Sequence, residues 1–259
     1  MTMDYLKVIP EYTIAFPVAN MPQINLGDKI GSLVVDRMSQ LSGVMDKDIY
    51  VIASKIVSKA EGRYVDLTTI KPSQEAHRIY GIIKKKSPAL FQVILNESLS
   101  YKVNKFSVLS QHRLGYVLTS AGVDSIDDTT AIVLPQDPDQ SAQHIASEVE
   151  KESGKKVAVI ISDSEGRTDR RGANAVAVGI AGINPVRISS SVDLSGSVKV
   201  NEETICDMLA GQAALLMGQR GRNIPVVCIR GYQFDFDYKA RATDMIHKDL
   251  LGIKMFNNG

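Results

Sequence analysis

One short apolar run, VAVII at residues 157–161, constrains the architecture more than any other part of the chain. A run of this length, bounded by Gly154 and by polar residues, is typical of a strand that is buried on both faces of a sheet. Asp163 and Ser164 follow its carboxyl end. Because open α/β sheets bind ligands just past the carboxyl ends of their strands, the run predicts a central strand with a ligand site at its end.

The residues after this strand are of the types that bind cations and anions. The Asp163 carboxylate suits a hard cation, and the Ser164 hydroxyl adds a further oxygen. Arg167, Arg170 and Arg171 carry guanidinium groups that hold phosphate or carboxylate oxygens through paired hydrogen bonds. An aspartate that caps its own loop beside a solvated basic turn explains the same residues, and this stretch alone does not separate the two interpretations.

Composition excludes several classes of protein. The chain has 259 residues, of which 44% are hydrophobic and 23% charged, as expected for a globular protein of one large or two small domains. A net charge of +1 gives no overall attraction to nucleic acid or to a membrane surface. There is no signal-peptide pattern and no apolar run near the roughly 20 residues of a membrane helix. Cys206 and Cys228 lie in apolar segments without metal-like spacing, so we expect buried free thiols and a cytoplasmic protein.

Predicted strands and helices alternate through much of the chain, which indicates an α/β fold. Strands are predicted at residues 5–9, 13–18, 48–53, 101–109, 115–119, 131–134, 157–161, 185–188 and 226–230. Helices are predicted after an N-cap at Asp28, at residues 72–86, 89–99 and 203–217, and weakly at 243–250. A further helix begins at Asp137, followed by Pro138, and ends at Gly154. Because the strands near residues 101–119 are predicted to be antiparallel, we expect a mixed sheet. Residues 189–197 are predicted to form a mobile loop.

Two other stretches after predicted strands carry charged side chains. Lys55 and Lys59 lie in SKIVSKAEGR, a predicted loop after the strand at residues 48–53 that suits phosphate binding. Asp124 and Asp127 lie in an acidic turn, a second source of carboxylates beside the first. Taken singly, the lysine loop is better explained by a solvated connector, and the acidic turn is better explained by Asx turns than by a metal site.

Several other features receive no functional role. The run Lys84-Lys85-Lys86 is predicted to be the charged end of a helix that complements the helix dipole. The four histidines have no metal spacing and no serine or cysteine partner in a motif. Nucleophile-elbow, Walker and dinucleotide-binding motifs are absent from the sequence.

Five blocks, in order, resemble the coenzyme F420-0:gamma-glutamyl ligase family. They are SKIVSKAEGR, AGVD, LPQDPDQSA, ISDSEGRTDRRG with AVGIAG, and LLMGQRGRNIPVVCIRG, and they span about residues 17–231. The resemblance implies an α/β fold with a mixed sheet and an intertwined homodimer. On this basis we predict a catalytic domain at residues 8–232 and a C-terminal extension at residues 233–259 that packs on it.

The resemblance also implies an activity. Members of the family are nucleotide-dependent amide ligases, commonly using GTP, that add L-glutamate to the lactyl-phosphate carboxylate of the deazaflavin coenzyme F420-0. The nucleotide phosphorylates this carboxylate, and the amine of the amino acid attacks the acyl phosphate. One or two Mg or Mn ions are implied, ATP is an alternative nucleotide, and a monovalent cation is a further candidate. Positioning and charge neutralisation drive such chemistry, so no covalent nucleophile is needed.

Carried onto this sequence, the resemblance implies three sets of site residues. The metal ligands would be Asp124, Asp163, Ser164 and Gln219. The nucleotide would be contacted by Met21, Pro22, Gln23, Ile24, Ser54, Lys55, Lys59, Asp127, Met217, Gly218, Gln219, Arg220, Gly221 and Arg222. The catalytic residues that hold phosphate or carboxylate groups would be Lys59, Arg167 and Arg170.

The sequence departs from the family pattern at several of these positions. Gln219 stands where the family has a glutamate that binds the second metal, and an amide is a weaker ligand than a carboxylate for a hard cation. Arg222 replaces an aspartate, Asp127 replaces an asparagine, and Ser164 replaces a threonine. These changes leave open the number of metals, the nucleotide, the acceptor and the amino acid.

Three other functions therefore stay open at this point. A homologous ligase would join a different amino acid to a different carboxylate, for example in secondary metabolism. A metal-dependent phosphohydrolase would cleave its substrate without an amine acceptor. A binding protein would bind the nucleotide without catalysis, since Gln219 replaces the glutamate of the family.

Overall fold

The computed structural model describes residues 12–167, 170–192, 194–219 and 221–256. Its strands are β1 (Ile14–Pro17), β2 (Ile49–Ala53), β3 (Tyr64–Asp66), β4 (Ser98–Val103), β5 (Val108–His112), β6 (Val117–Thr119), β7 (Asp124–Ser125), β8 (Thr130–Ile132), β9 (Ala158–Gly166), β10 (Ala173–Ala181), β11 (Val186–Val192), β12 (Val198–Thr204) and β13 (Val226–Arg230). Its α-helices are α1 (Ile30–Ser39), α2 (Ser54–Ala60), α3 (Gln74–Ile82), α4 (Pro88–Asn96), α5 (Pro138–Ser153) and α6 (Ile205–Met217). The strand predicted at residues 5–9 lies outside the described residues.

A five-stranded sheet with the order β1-β13-β2-β9-β10 forms the centre of the fold. Strands β2 and β9 are parallel, and the other neighbouring pairs are antiparallel. The predicted α/β fold with a mixed sheet is therefore confirmed. The residues Ile49–Ile52 of β2 and Ala158–Ile161 of β9 are fully buried. Since alternate side chains of a strand point to opposite faces, both faces of the sheet are covered, with α5 and α6 packed on it.

A smaller unit lies beside this sheet and has its own hydrophobic core. It contains α3 and α4 and two three-stranded sheets, with the orders β3-β8-β7 and β4-β5-β6. Ile79 of α3 and Phe91 and Ile94 of α4 are buried in this second core. The acidic strand β7 belongs to the smaller unit, so the two predicted carboxylate sources are carried by different parts of the fold.

The helix signals at residues 137–154 predicted α5 correctly. The Asp137 carboxylate accepts a hydrogen bond from the backbone N–H of Gln140 at 3.1 Å, and Pro138 occupies the first turn. Gly154 ends the helix with a left-handed φ of 70°, a conformation that glycine adopts without a steric cost. The other N-cap prediction was wrong: Lys29 caps α1, and the Asp28 carboxylate accepts from the backbone N–H of Asn25 instead.

Four predicted elements differ from the structure. The predicted loop with the two lysines is the helix α2, because Ser54, Val57 and Ser58 recur at helical spacing and are buried. Residues 189–192 of the predicted mobile loop belong to β11, and residues 194–197 lie between β11 and β12. The single strand at residues 101–109 is the antiparallel pair β4 and β5. The helix at residues 72–86 ends at Ile82, so the lysine run lies in a turn.

The C-terminal residues contact both units. Ala240 and Ala242 are buried in the core of the large sheet. In the smaller unit the Gln111 side chain donates to the carbonyl of Ile253 at 2.7 Å and accepts from the backbone N–H of Met255 at 3.0 Å. The division of the chain at residues 232 and 233 stays a prediction. Within the part of the chain that the structure describes, no helix is both long enough and apolar enough to cross a bilayer.

Candidate active site

A cavity of about 980 Å³ lies past the carboxyl end of β2 and along the second half of β9. This volume is at the upper end of the roughly 300–1,000 Å³ range of small-molecule sites. Its lining comprises residues 21–24, 53–56, 119–120, 122–126, 162–164, 217–219 and 221–225 together with Lys59, Lys86, Ala175 and Ala214. Both the large-sheet unit and the smaller unit therefore contribute walls to the cavity.

The pairing of the two parallel strands positions Asp163 in the wall of this cavity. Ala53 at the end of β2 lies opposite Ser162 of β9, which brings the next residues, Ser54 and Asp163, side by side. The Ser54 hydroxyl donates a 2.8 Å hydrogen bond to Oδ1 of Asp163. β9 continues to Gly166 because Asp163 and Ser164 still pair with β10. The predicted position of these two residues past the end of the strand was therefore wrong, although both line the cavity.

The Asp163 carboxyl is partly exposed to the cavity but is surrounded by protein. This desolvation raises the pKa of Asp163 to about 6, because burial disfavours the charged form, and the Ser54 hydrogen bond opposes the rise. The negative charge of Asp124 raises this pKa further, and the positive charge of Lys55 lowers it. The three charged groups therefore act on one another across the cavity.

Asp124 approaches from the smaller unit, at the start of β7. Its Oδ2 forms an ion pair with the ammonium of Lys55 from α2. The side chains of both residues are about half exposed, 45% for Asp124 and 46% for Lys55. A surface pair of this exposure adds little to stability, so its interest lies in the position of its charges. Two carboxylates and one ammonium group thus meet in a single cavity.

This donor set fits a hard divalent cation. Asp124 and Asp163 supply carboxylate oxygens to the lining. Ser164 adds a hydroxyl oxygen and Gln219 an amide oxygen. The ion pair of Lys55 with Asp124 shows that the cavity stabilises a positive charge at this position. Among the described residues there is no group of three or more His, Cys, Asp or Glu side chains that would hold a metal ion alone. A cation here would complete its coordination with water or with oxygens of a bound substrate.

Most of the residues predicted to contact the nucleotide line this cavity. They are Met21, Pro22, Gln23, Ile24, Ser54, Lys55, Lys59, Met217, Gly218, Gln219, Gly221 and Arg222. Arg220 lies outside the described residues. The guanidinium of Arg222 turns back on α6 and donates to the carbonyl of Leu215 at 3.0 Å, so part of its hydrogen-bonding capacity satisfies the helix end.

Three predicted site residues are not brought to the cavity wall. Oδ1 of Asp127 accepts hydrogen bonds from the backbone N–H and the hydroxyl of Thr129, at 2.8 and 2.9 Å. Arg167 and Arg170 lie on the turn after β9, and neither is among the lining residues. The positive charge of Arg167 acts on Glu165, whose pKa is raised chiefly by burial and lowered by this arginine. The proposed roles of Asp127, Arg167 and Arg170 stay predictions.

One charged residue of the cavity was missed by the sequence analysis. Lys86 lines the wall that the smaller unit supplies. The sequence interpretation treated the three lysines as equivalent. The structure separates them, since Lys84 and Lys85 are exposed and Lys86 is partly buried. The only local signal is that Lys86 immediately precedes Ser87, which caps α4 by accepting from the backbone N–H of Leu90.

Comparisons with known proteins identify the family of this chain. A family model described as F420-0:Gamma-glutamyl ligase matches residues 19–231. A coenzyme F420:L-glutamate ligase of Methanothermobacter thermautotrophicus is 41% identical over 221 residues, covering 83% of this chain and 87% of the relative. Enzymes of the same name from Methanosarcina mazei and Methanocaldococcus jannaschii are 39% and 40% identical, covering 85% and 86% of this chain and 86% and 87% of the relatives. The chain belongs to the F420-0:gamma-glutamyl ligase family.

Proposed function

We propose that this protein is an amide ligase that adds L-glutamate to the lactyl-phosphate carboxylate of coenzyme F420-0, at the expense of GTP and through an acyl phosphate. The names of the relatives and the matching family model support the glutamate-adding reaction. The observation that carries the proposal is the meeting of Asp124, Asp163 and Lys55 in one cavity of suitable size. Such a set binds a metal-complexed triphosphate, which a carboxylate must meet in order to be phosphorylated.

The residues of the cavity would have two roles, to bind charged groups and to orient other side chains. Lys59 lines the cavity and would hold phosphate oxygens as a point charge. Asp124 and Asp163, with Ser164 and Gln219, would hold one or two Mg or Mn ions. When bound, such ions neutralise the charge of the phosphates. Ser54 fixes the orientation of the Asp163 carboxylate by its hydrogen bond.

The reaction needs no covalent nucleophile in the protein. The two cysteines of the chain are buried and unpaired, and burial raises the pKa of both thiols far above the usual range. A thiol in that environment stays protonated and is a poor nucleophile. Free thiols also favour a reducing compartment such as the cytoplasm.

Incubations with complete, incomplete and substituted sets of substrates test the proposal against its alternatives. The protein is supplied with F420-0, glutamate, Mg or Mn, and either GTP or ATP, and the products are followed by mass spectrometry and phosphate release. We expect a glutamylated product, with phosphate release that depends on both glutamate and F420-0. Phosphate release at the full rate without an amine would identify a phosphohydrolase, and turnover with another acid or amino acid would identify a homologous ligase of different specificity. Nucleotide binding without turnover would indicate a binding protein.

We propose in addition that the protein works as a homodimer, with β11 and β12 at the interface. Opposite residues in this hairpin share a face, and the register pairs Ser190 with Val200 and Val192 with Val198. Together with Ile188 these valines form the apolar part of a face that also carries Ser190 and Glu202, and the four apolar side chains are 64–69% exposed. A two-stranded hairpin with an uncovered apolar face is only marginally stable in water, and a second copy of the chain would cover it.

A further inference from the structure

Lys86 is a charged residue of the cavity to which neither the family resemblance nor the proposed function assigns a role. It lies in the turn between α3 and α4, one residue before the N-cap of α4. The ends of two packed helices therefore fix its backbone, in contrast to a lysine on a free loop. Its side chain lines the same cavity as Asp124, Ser125 and Lys59.

The ammonium of Lys86 is placed to receive an anion. Among the described residues, no carboxylate lies within ion-pair distance of it, whereas Lys55 on the same cavity is already paired with Asp124. Burial lowers the pKa of Lys86, and the negative charge of Asp124 opposes this effect from a greater distance. A partly desolvated ammonium without a carboxylate at contact distance gains more from an incoming anion than an exposed lysine does.

The position of Lys86 in the cavity indicates which substrate its side chain contacts. Apart from Asp127, which follows β7 and does not line the cavity, the residues that the family resemblance assigns to the nucleotide lie within positions 21–24, 54–59 and 217–222, and these stretches belong to the large-sheet unit. Lys86 and the lining residues 119–120 and 122–126 belong to the smaller unit, on the other wall. The acceptor must present its carboxylate to the nucleotide at Asp124 and Asp163. Its remaining anionic group then lies along the wall that the nucleotide leaves free.

We propose that Lys86 is a substrate-binding residue that contacts the anionic lactyl-phosphate part of the acceptor, not the nucleotide and not the amino acid. This assignment rests on the proposed ligase function. Within the described residues, Lys59 and Lys86 are the two lysines of the cavity without an ion pair. The assignment has them bind different substrates, Lys59 the nucleotide and Lys86 the acceptor. A lysine makes a point-charge contact with phosphate or carboxylate oxygens alike.

The test measures acceptor binding directly as well as turnover. Equilibrium dialysis of F420-0 is carried out in the presence of Mg and a non-hydrolysable GTP analogue, with Lys86→Ala, Lys86→Arg and the neighbouring control Lys85→Ala. We expect Lys86→Ala to weaken acceptor binding about tenfold, as for loss of one charge-assisted hydrogen bond, and Lys86→Arg to restore part of it. Lys85→Ala should bind like the wild type, because Lys85 is exposed and does not line the cavity.

Two further arms identify the group that Lys86 contacts. The same deazaflavin without its lactyl phosphate should bind equally to the wild type and to Lys86→Ala, and the Kd of GTP and the KM of glutamate should be unchanged in the variant. Unchanged F420-0 binding in Lys86→Ala, or a loss that appears in the Kd of GTP or the KM of glutamate instead, would overturn the assignment while the ligase function stands. A wild-type protein that neither binds nor glutamylates F420-0 would overturn the ligase function, and the role of Lys86 with it.

Discussion

The Ser54 hydroxyl lies 2.8 Å from Oδ1 of Asp163, although the two residues are 109 positions apart in the chain. The contact exists because β2 and β9 run parallel with Ala53 opposite Ser162. It joins the first turn of α2, which carries Lys55, to the strand that carries the central carboxylate. The bond fixes the Asp163 carboxylate in the cavity wall, where the backbone of Ser164 also hydrogen-bonds to it.

Replacement of Asp163 by asparagine should abolish most of the ligase activity. The asparagine side chain would keep an oxygen that accepts from Ser54, but the change would remove the negative charge that holds a cation beside the phosphates. We expect kcat to fall roughly 100-fold or more, on the scale seen when one electrostatic contact in an active site is removed. The check is steady-state glutamylation at saturating nucleotide and metal.

Asp36→Asn is the matched control for this variant. Asp36 lies on the exposed side of α1, away from the cavity lining, and the same chemical change there should leave kcat unaltered. Circular dichroism of both variants verifies that they are folded. Near-normal turnover of Asp163→Asn would count against a metal role for this residue.

Replacement of Gln219 by glutamate should tighten the binding of divalent metal. Gln219 is exposed on the cavity wall, and a carboxylate is a stronger ligand than an amide for Mg or Mn. We expect the metal concentration for half-maximal activity to fall severalfold. A titration with Mn measures it, and Gln143→Glu on the exposed side of α5 should titrate like the wild type. If both variants bind metal alike, Gln219 does not face the cation.

Stability below pH 4.5 should depend on Glu97. The Nε2 atom of His112 lies 3.3 Å from Oε2 of Glu97, and Arg113 donates a 3.0 Å hydrogen bond to the same oxygen. These two neighbours lower the pKa of Glu97 from 4.5 to about 2. Because the unfolded chain binds this proton at higher pH than the folded one, the contribution of Glu97 is complete above pH 4.5. It is lost progressively as the pH falls towards 2.

Urea unfolding of wild type and Glu97→Gln at about pH 6 and about pH 3, on either side of the unfolded-state pKa, measures this contribution. The variant should be less stable than the wild type at the higher pH, and the difference should shrink at the lower one. Glu150→Gln, which changes an exposed glutamate of α5, controls for the general effect of removing a carboxylate. A difference that is the same at both pH values would show that the contribution of Glu97 does not depend on the charge of its carboxylate.

Polar substitutions on the apolar face of the β11–β12 hairpin should dissociate the proposed dimer. We expect Ile188→Ser combined with Val200→Ser to give a monomer in size-exclusion chromatography with light scattering, because both side chains are about two-thirds exposed in the single chain. Ser189→Ala with Asn201→Ser changes a pair on the opposite face of the hairpin and should leave a dimer. A wild-type monomer, or a dimer that survives the first pair of changes, would contradict the proposed interface.

Local sequence patterns were sufficient where a single segment carries its own signals. The α5 cap at Asp137 and the glycine that ends that helix were predicted correctly, since both depend on backbone groups only a few residues away. The buried strands β2, β9 and β13 were identified from their apolar runs. The segment at residues 54–63 was wrongly predicted to be a loop, because the local pattern shows only its two lysines. Burial of Val57 against the core makes residues 54–60 the helix α2.

The sequence by itself determined the α/β class, the buried strands and, through five ordered blocks, the family. It also supplied the candidates Asp124, Asp163 and Lys55. Only the tertiary structure decided that these side chains meet, that Asp127, Arg167 and Arg170 stay off the cavity wall, and that Lys86 joins it. The physical reason is that propensity and periodicity report interactions within a few residues. A cavity between two units depends on strand pairing and on helix packing between residues far apart in the chain.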